Sequence, residues 1–164
     1  MFPQEIEKLA KAVITAATER GVMIATAESC TGGLVAGALT AVAGSSAVVD
    51  RGFVTYSNEA KHEMLGVPMD LIEAHGAVSE PVARAMCAGA VLNSRAELAV
   101  SITGIAGPGG GSHEKPVGLV HFGAADGSGT VHQAHRFGDI EREEVRLASV
   151  EVALTMLLAR LKAA

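Results

Sequence analysis

Aromatic residues are scarce in this chain: 3% of 164 positions, with one tyrosine and no tryptophan. A core built on stacked rings is therefore excluded, and burial must come from small aliphatic side chains at close range. Cysteine is nearly absent. Cys30 and Cys87 stand at no metal-ligand spacing, which excludes a disulfide-stapled secreted scaffold and a cysteine-rich metal site. Positive charge is in deficit, with 13 Lys and Arg against 18 Asp and Glu for a net charge of -5. No basic cluster occurs, so nucleic acid is not the expected partner. No apolar run reaches the roughly 18 residues of a membrane span, and no leader pattern opens the chain. These absences lead to a cytoplasmic reading with one domain over residues 1–164 and no membrane partner. A chain of this length buries roughly 70% of its unfolded surface and folds without a staple.

What is plentiful is small and apolar: 49% of residues are hydrophobic and 19 are glycine, concentrated near positions 32–33 and 104–111. Helical spacing of apolar residues predicts helices over 4–20, 31–42, 58–65, 69–75, 80–93 and 141–161. Gly21 ends the first, and Ser79 with Pro81 opens the fifth. Strand character falls at 23–28, 47–56, 98–103, 116–124 and 130–137, the last two joined by DGSG as a hairpin. Strands separated by helices, followed by a hairpin, predict an α/β protein with a mixed sheet covered on both faces. The apolar final helix is compatible with a homo-oligomer such as a dimer.

The chemistry-bearing residues gather around ATAESCTGG, 25–33, a strand-to-helix turn. Free amides at a helix N-terminus attract anions and developing negative charge. Ser29 is a candidate nucleophile that needs a base. Equally, Ser29 or Thr31 simply caps the helix, with Gly32 and Gly33 there for packing. Glu28 is placed to hold a ligand hydroxyl or pair with a cation, and Cys30 is a rival nucleophile. No histidine triad signature and no GxSxG occur. Instead YSNEAK offers Tyr56 at a strand end and Lys61 early in a helix, where the dipole favours the neutral amine. His62 and Glu63 do not form HExxH, and His132 and His135 lack a matching carboxylate, so no metal is expected. The glycine-rich TGIAGPGGG, 103–111, allows backbone to approach a phosphate or carboxylate, or is a plain surface loop. Arg142 and Arg146, at i and i+4, either grip a phosphate together or pair with neighbouring glutamates.

AESCTGG at 27–33, FVTYSNEAKHEMLGV at 53–67, GAVSE at 76–80, SITGIAGPGG at 101–110 and KPVG at 115–118 closely resemble the CinA C-terminal domain family. They stand in the same order and cover nearly the whole chain. The characterised activity of that family is nicotinamide-nucleotide amidohydrolysis, the deamidation of nicotinamide mononucleotide (NMN). The resemblance implies a three-layer α/β/α sandwich whose mixed, mostly parallel sheet ends in a hairpin, and a Ser/Lys amidohydrolase with no cofactor. Ser29 is implied as nucleophile, Lys61 as general base and Tyr56 as a hydroxyl that relays or orients protons. Thr103, Gly104, Gly107 and Gly109 are implied in the nucleotide pocket. Glu28, Thr31, Gly32 and Gly33 are read as substrate-binding beside the nucleophile, and Arg142 and Arg146 as phosphate ligands. Two other readings stay open: a nucleotide-binding regulatory module without turnover, and a cysteine amidase using Cys30.

Overall fold

The computed structural model describes residues 1–163. Helix α1 (Gln4–Arg20) ends where Gly21 turns left-handed at φ 66°. Strand β1 (Ile24–Glu28) leads to α2 (Leu34–Thr40). That helix is shorter than the predicted 31–42, because Gly32 and Gly33 stand at φ 56° and 104°, which a right-handed helix does not accommodate. Strand β2 (Val49–Val54) likewise starts later than expected, since Ser45–Ala47 form a 3₁₀ turn. Helix α3 (Asn58–Leu65) is capped by the Ser57 hydroxyl, which accepts from the Ala60 N–H at 3.0 Å. Helices α4 (Met69–His75) and α5 (Glu80–Leu92) follow, then β3 (Leu98–Gly104), β4 (Leu119–Asp126), β5 (Gly129–Arg136) and α6 (Arg142–Lys162). Ser79 precedes α5 as predicted, but its hydroxyl donates to the Gly76 carbonyl at 2.8 Å rather than capping the helix.

The strands form one sheet in the order β2-β1-β3-β4-β5. β1 runs parallel to β2 and β3, while β4 is antiparallel to β3 and to β5. Helices α1, α2 and α6 cover one face, and α3, α4 and α5 the other, which is the expected three-layer sandwich. Strand alternation divides the core. Ile24, Leu98, Val100 and Ile102 face the α1/α2/α6 layer, whereas Ala25, Ala27 and Ala99 face the α3/α4/α5 layer. The small residues on that second face let α5 lie close to the strands. At Gly123 a Cβ would stand 2.7 Å from the Ala83 carbonyl and 2.8 Å from Cys87 Sγ, so only glycine fits there.

This topology sets where a site can form. The crossover from β1 to β2 uses α2 on one face, and the return to β3 uses α3, α4 and α5 on the other. The carboxyl ends of β1, β2 and β3 therefore open beside one another, at the kind of switch point where α/β sheets bind ligands. Among the described residues no helix is long and apolar enough to cross a membrane.

Candidate active site

Ser29 is the first residue after β1. Its N–H donates to the Ile102 carbonyl of β3 at 2.9 Å, and its carbonyl accepts from the Gly32 N–H at 3.0 Å. The residue is thereby tied to the sheet at the start of a tight turn. Its Oγ lies 3.0 Å from Lys61 Nζ. Lys61 comes from the first half of α3, and its Nζ also donates to the carbonyls of Thr55 at 3.0 Å and Tyr56 at 3.4 Å. The side chain is only 1% exposed. Its partners are neutral oxygens, so burial disfavours the ammonium and pushes the pKa below the ordinary lysine range. With the amine neutral, its two hydrogens serve the two carbonyls. The lone pair then faces the Ser29 hydroxyl, which becomes the donor. This arrangement can take a proton from Ser29.

A cleft of about 270 Å³ opens over this pair. Tyr56, Thr103, Gly104, Gly107, Gly109 and Arg142 border it, so the structure brings these expected residues together. Arg142 spans the mouth: Nη1 donates to the Gly107 carbonyl at 2.8 Å and Nη2 to the Tyr56 hydroxyl at 3.2 Å. Thr103 donates its hydroxyl proton to the Ala77 carbonyl at 2.9 Å. Sequence reasoning missed Asn58, Ala77 and Val78. Asn58 sits inside the YSNEAK stretch that pointed to Lys61 and was open to notice. Ala77 and Val78 carry no chemical signature. A larger cavity of about 430 Å³ lies beside Arg20, Asp126 and Arg160. Its arginines are already engaged, Arg160 with Asp126 and Arg20 with the Leu161 carbonyl.

The structure does not bring every expected residue to the cleft. The free N-terminus of α2 does not exist as an anion site, because Glu28 fills it. Its Oε1 accepts from the Val35 N–H at 2.9 Å and its Oε2 from the Ala36 N–H at 3.0 Å, with the side chain fully buried. Glu28 thus holds a helix rather than a ligand. Thr31 is also buried, its hydroxyl has no hydrogen-bond partner among the described residues, and it does not line the cleft. Gly32 and Gly33 shape the turn instead of bordering the cleft. The Tyr56 hydroxyl bonds to Arg142 rather than to Ser29 or Lys61, and the contact with Lys61 runs through its main chain. The two arginines diverge: Arg146 does not line the cleft and donates to the carbonyls of Cys30, which does, and Thr31, at 3.1 and 3.4 Å. Burial raises the Cys30 pKa to about 12, so it stays a thiol at neutral pH. His132 is 2.9 Å from His121 on the neighbouring strand, and no cluster of potential metal ligands occurs among the described residues.

Fold and cleft together define a class: an α/β/α sandwich with a buried serine–lysine pair at the carboxyl ends of parallel strands. Residues 6–161 match the family model of the CinA C-terminal domain, and the chain belongs to that family. It is 50% identical over 159 residues to the nicotinamide-nucleotide amidohydrolase PncC of Escherichia coli strain K12, covering 96% of this chain and 95% of that protein. It is 51% identical to a CinA-like protein of Anaeromyxobacter sp. strain K, again over 96% of this chain. There the chain spans only 38% of the length of the relative. A crystal structure of the competence/damage inducible protein CihA from Agrobacterium tumefaciens superposes with a TM-score of 0.97 at 58% identity, covering 99% of both chains.

Proposed function

We propose that this protein hydrolyses the carboxamide of NMN to nicotinate mononucleotide and ammonia through an acyl-serine intermediate. The observation that carries the reading is the 3.0 Å approach of Lys61 Nζ to Ser29 Oγ in a buried setting, with no carboxylate paired to the amine among the described residues. The amidohydrolase name of the full-length E. coli relative supports the substrate.

Neutral Lys61 accepts the Ser29 proton as Oγ bonds to the carboxamide carbon. The amide carbonyl becomes an oxyanion. The amides of Ser29 and Gly32 are already bonded, whereas those of Thr31 and Gly33 have no main-chain acceptor among the described residues and remain free to stabilise it. Collapse of the adduct breaks the C–N bond, and the proton on Lys61 goes to the departing nitrogen, which leaves as ammonia. Water then attacks the acyl ester and gives a proton to Lys61. The C–Oγ bond breaks, and that proton returns to Ser29. Arg142 and the amides of the 107–110 loop take the phosphate, with Thr103 and Gly104 on the floor of the cleft. Tyr56 is assigned to the mouth beside Arg142 rather than to the proton path. Cys30, held as a thiol, has no part in bond making.

Ammonia release from NMN tests the proposal. Ser29→Ala is expected to abolish it while the melting temperature stays within a few degrees of wild type. Retained turnover would rule out the serine route. Arg142→Ala is expected to raise KM for NMN more than for nicotinamide riboside, which lacks the phosphate. Equal changes would remove Arg142 from phosphate recognition.

A further inference from the structure

Arg146 stands one helical turn beyond Arg142 on α6 but serves a different structure. Its Nε donates to the Cys30 carbonyl at 3.1 Å and its Nη2 to the Thr31 carbonyl at 3.4 Å. Both carbonyls belong to the turn that follows Ser29. Gly32 keeps that approach open, since a Cβ there would stand 3.3 Å from Nη2. A trans peptide directs its C=O and N–H to opposite sides. Drawing the Cys30 carbonyl toward α6 therefore turns the Thr31 N–H away from α6. That helix covers one face of the sheet, and α3, which carries Lys61, covers the other. The Thr31 N–H is thus aimed toward the side where Ser29 Oγ meets Lys61, and it has no acceptor among the described residues.

We infer that Arg146 is a positioning residue, holding the Cys30–Thr31 peptide so that the Thr31 N–H serves as an oxyanion donor. The inference rests on the amide hydrolysis at Ser29 proposed above. It gives the paired arginines different roles, since Arg142 faces the substrate and Arg146 acts only through the main chain. A guanidinium suits that work because its planar fork reaches two successive carbonyls at once, whereas a lysine ammonium is a point donor.

Arg146→Ala and Arg146→Lys, assayed for ammonia release from NMN with kcat and KM resolved, test this. Each is expected to lower kcat about a hundredfold, the usual consequence of losing one oxyanion donor, with KM within about twofold of wild type. Guanidinium ion added to Arg146→Ala is expected to restore part of kcat. NMN binding measured in the Ser29→Ala background is expected to change less than about twofold when Arg146→Ala is added. A raised KM and weakened binding with unchanged kcat would overturn the inference and make Arg146 a substrate ligand. A crystal structure of Arg146→Ala supplies a readout independent of turnover: the Cys30–Thr31 peptide is expected to rotate, and an unmoved peptide would overturn the positioning role. If Arg146→Ala fails to fold, Arg146→Lys carries the same kinetic and crystallographic readouts. Wild-type protein that released no ammonia would sink the amidase reading and the oxyanion role with it, while the peptide rotation would still decide whether Arg146 holds the turn.

Discussion

Ser29 and Lys61 are 32 residues apart in the chain, and their side chains meet at 3.0 Å. The contact joins the end of a central strand to the first half of a helix on the far side of a crossover. Two main-chain carbonyls fix the amine and leave its third direction for the hydroxyl. The pair is buried as a unit, so its proton chemistry is coupled to the stability of the fold.

Lys61→Met tests that coupling. Burial places the folded-state pKa of Lys61 below its unfolded value of about 10.5. The stability linked to this group is therefore fully present above the unfolded pKa and is lost as pH falls through the folded pKa. Wild type is expected to gain stability relative to Lys61→Met as pH rises, read from denaturation midpoints between about pH 6 and 10. Ammonia release by wild type is expected to fall on the acid side of a pKa lower than that of a free lysine, and Lys61→Met to lose at least a hundredfold in kcat, typical of a lost general base. A pH-independent stability difference would show that Lys61 does not titrate below the ordinary lysine range in the fold.

Glu28→Gln probes the filled N-terminus of α2. The carboxylate accepts from two amides, and the glutamine retains one acceptor oxygen while setting an NH2 group against the other amide. One buried donor left without a partner costs about 1–3 kcal/mol. The melting temperature is expected to fall by about 4–8 °C, taking about 2 kcal/mol for a chain of this size. An unchanged melt would mean that water satisfies these amides.

Gly89→Ala sets helix propensity against packing. Alanine in the interior of a helix is favoured over glycine by about 1 kcal/mol. At Gly89, however, a Cβ would collide with the Leu65 carbonyl at the end of α3. Packing is expected to win, with a loss of about 2 kcal/mol or more. Because α3 carries Lys61, ammonia release is expected to fall as well. A more stable variant with full activity would show that α3 and α5 part freely.

Glu141→Gly is expected to stabilise the protein. Glu141 precedes α6 at φ 80° and ψ 147°, a region occupied almost solely by glycine and costing other residues about 1–3 kcal/mol. The entropy that glycine adds to the unfolded chain takes back about 0.4–1 kcal/mol, leaving a net gain of about 1 kcal/mol. The denaturant midpoint should rise. A fall would mean that the Glu141 side chain stabilises the entry to α6.

The strained Glu141 marks an entry to α6 that the sequence does not announce. GDIEREEVR shows no regular cap, and the backbone reaches the helix through a conformation that no local pattern announces. Ser57 is the opposite case. Its capping of α3 is short-range, three residues from its partner, and YSNEA carries the signal for it.

The amino-acid sequence by itself determined the layers: helical and strand periodicity, and glycines that stop helices. These depend on neighbours a few positions apart, so the pattern records them. It also carried, through the AESCTGG and YSNEAK stretches, the residues that came to share a cleft. Only the tertiary structure decided what each does there. Glu28 turned inward to hold α2, Tyr56 turned out to Arg142, and Arg146 turned away from Arg142 to grip the Ser29 turn. A polar side chain bonds to whichever partner the fold brings within reach, and pairs such as Tyr56 with Arg142, 86 residues apart, or Cys30 with Arg146, 116 apart, leave no mark on local spacing.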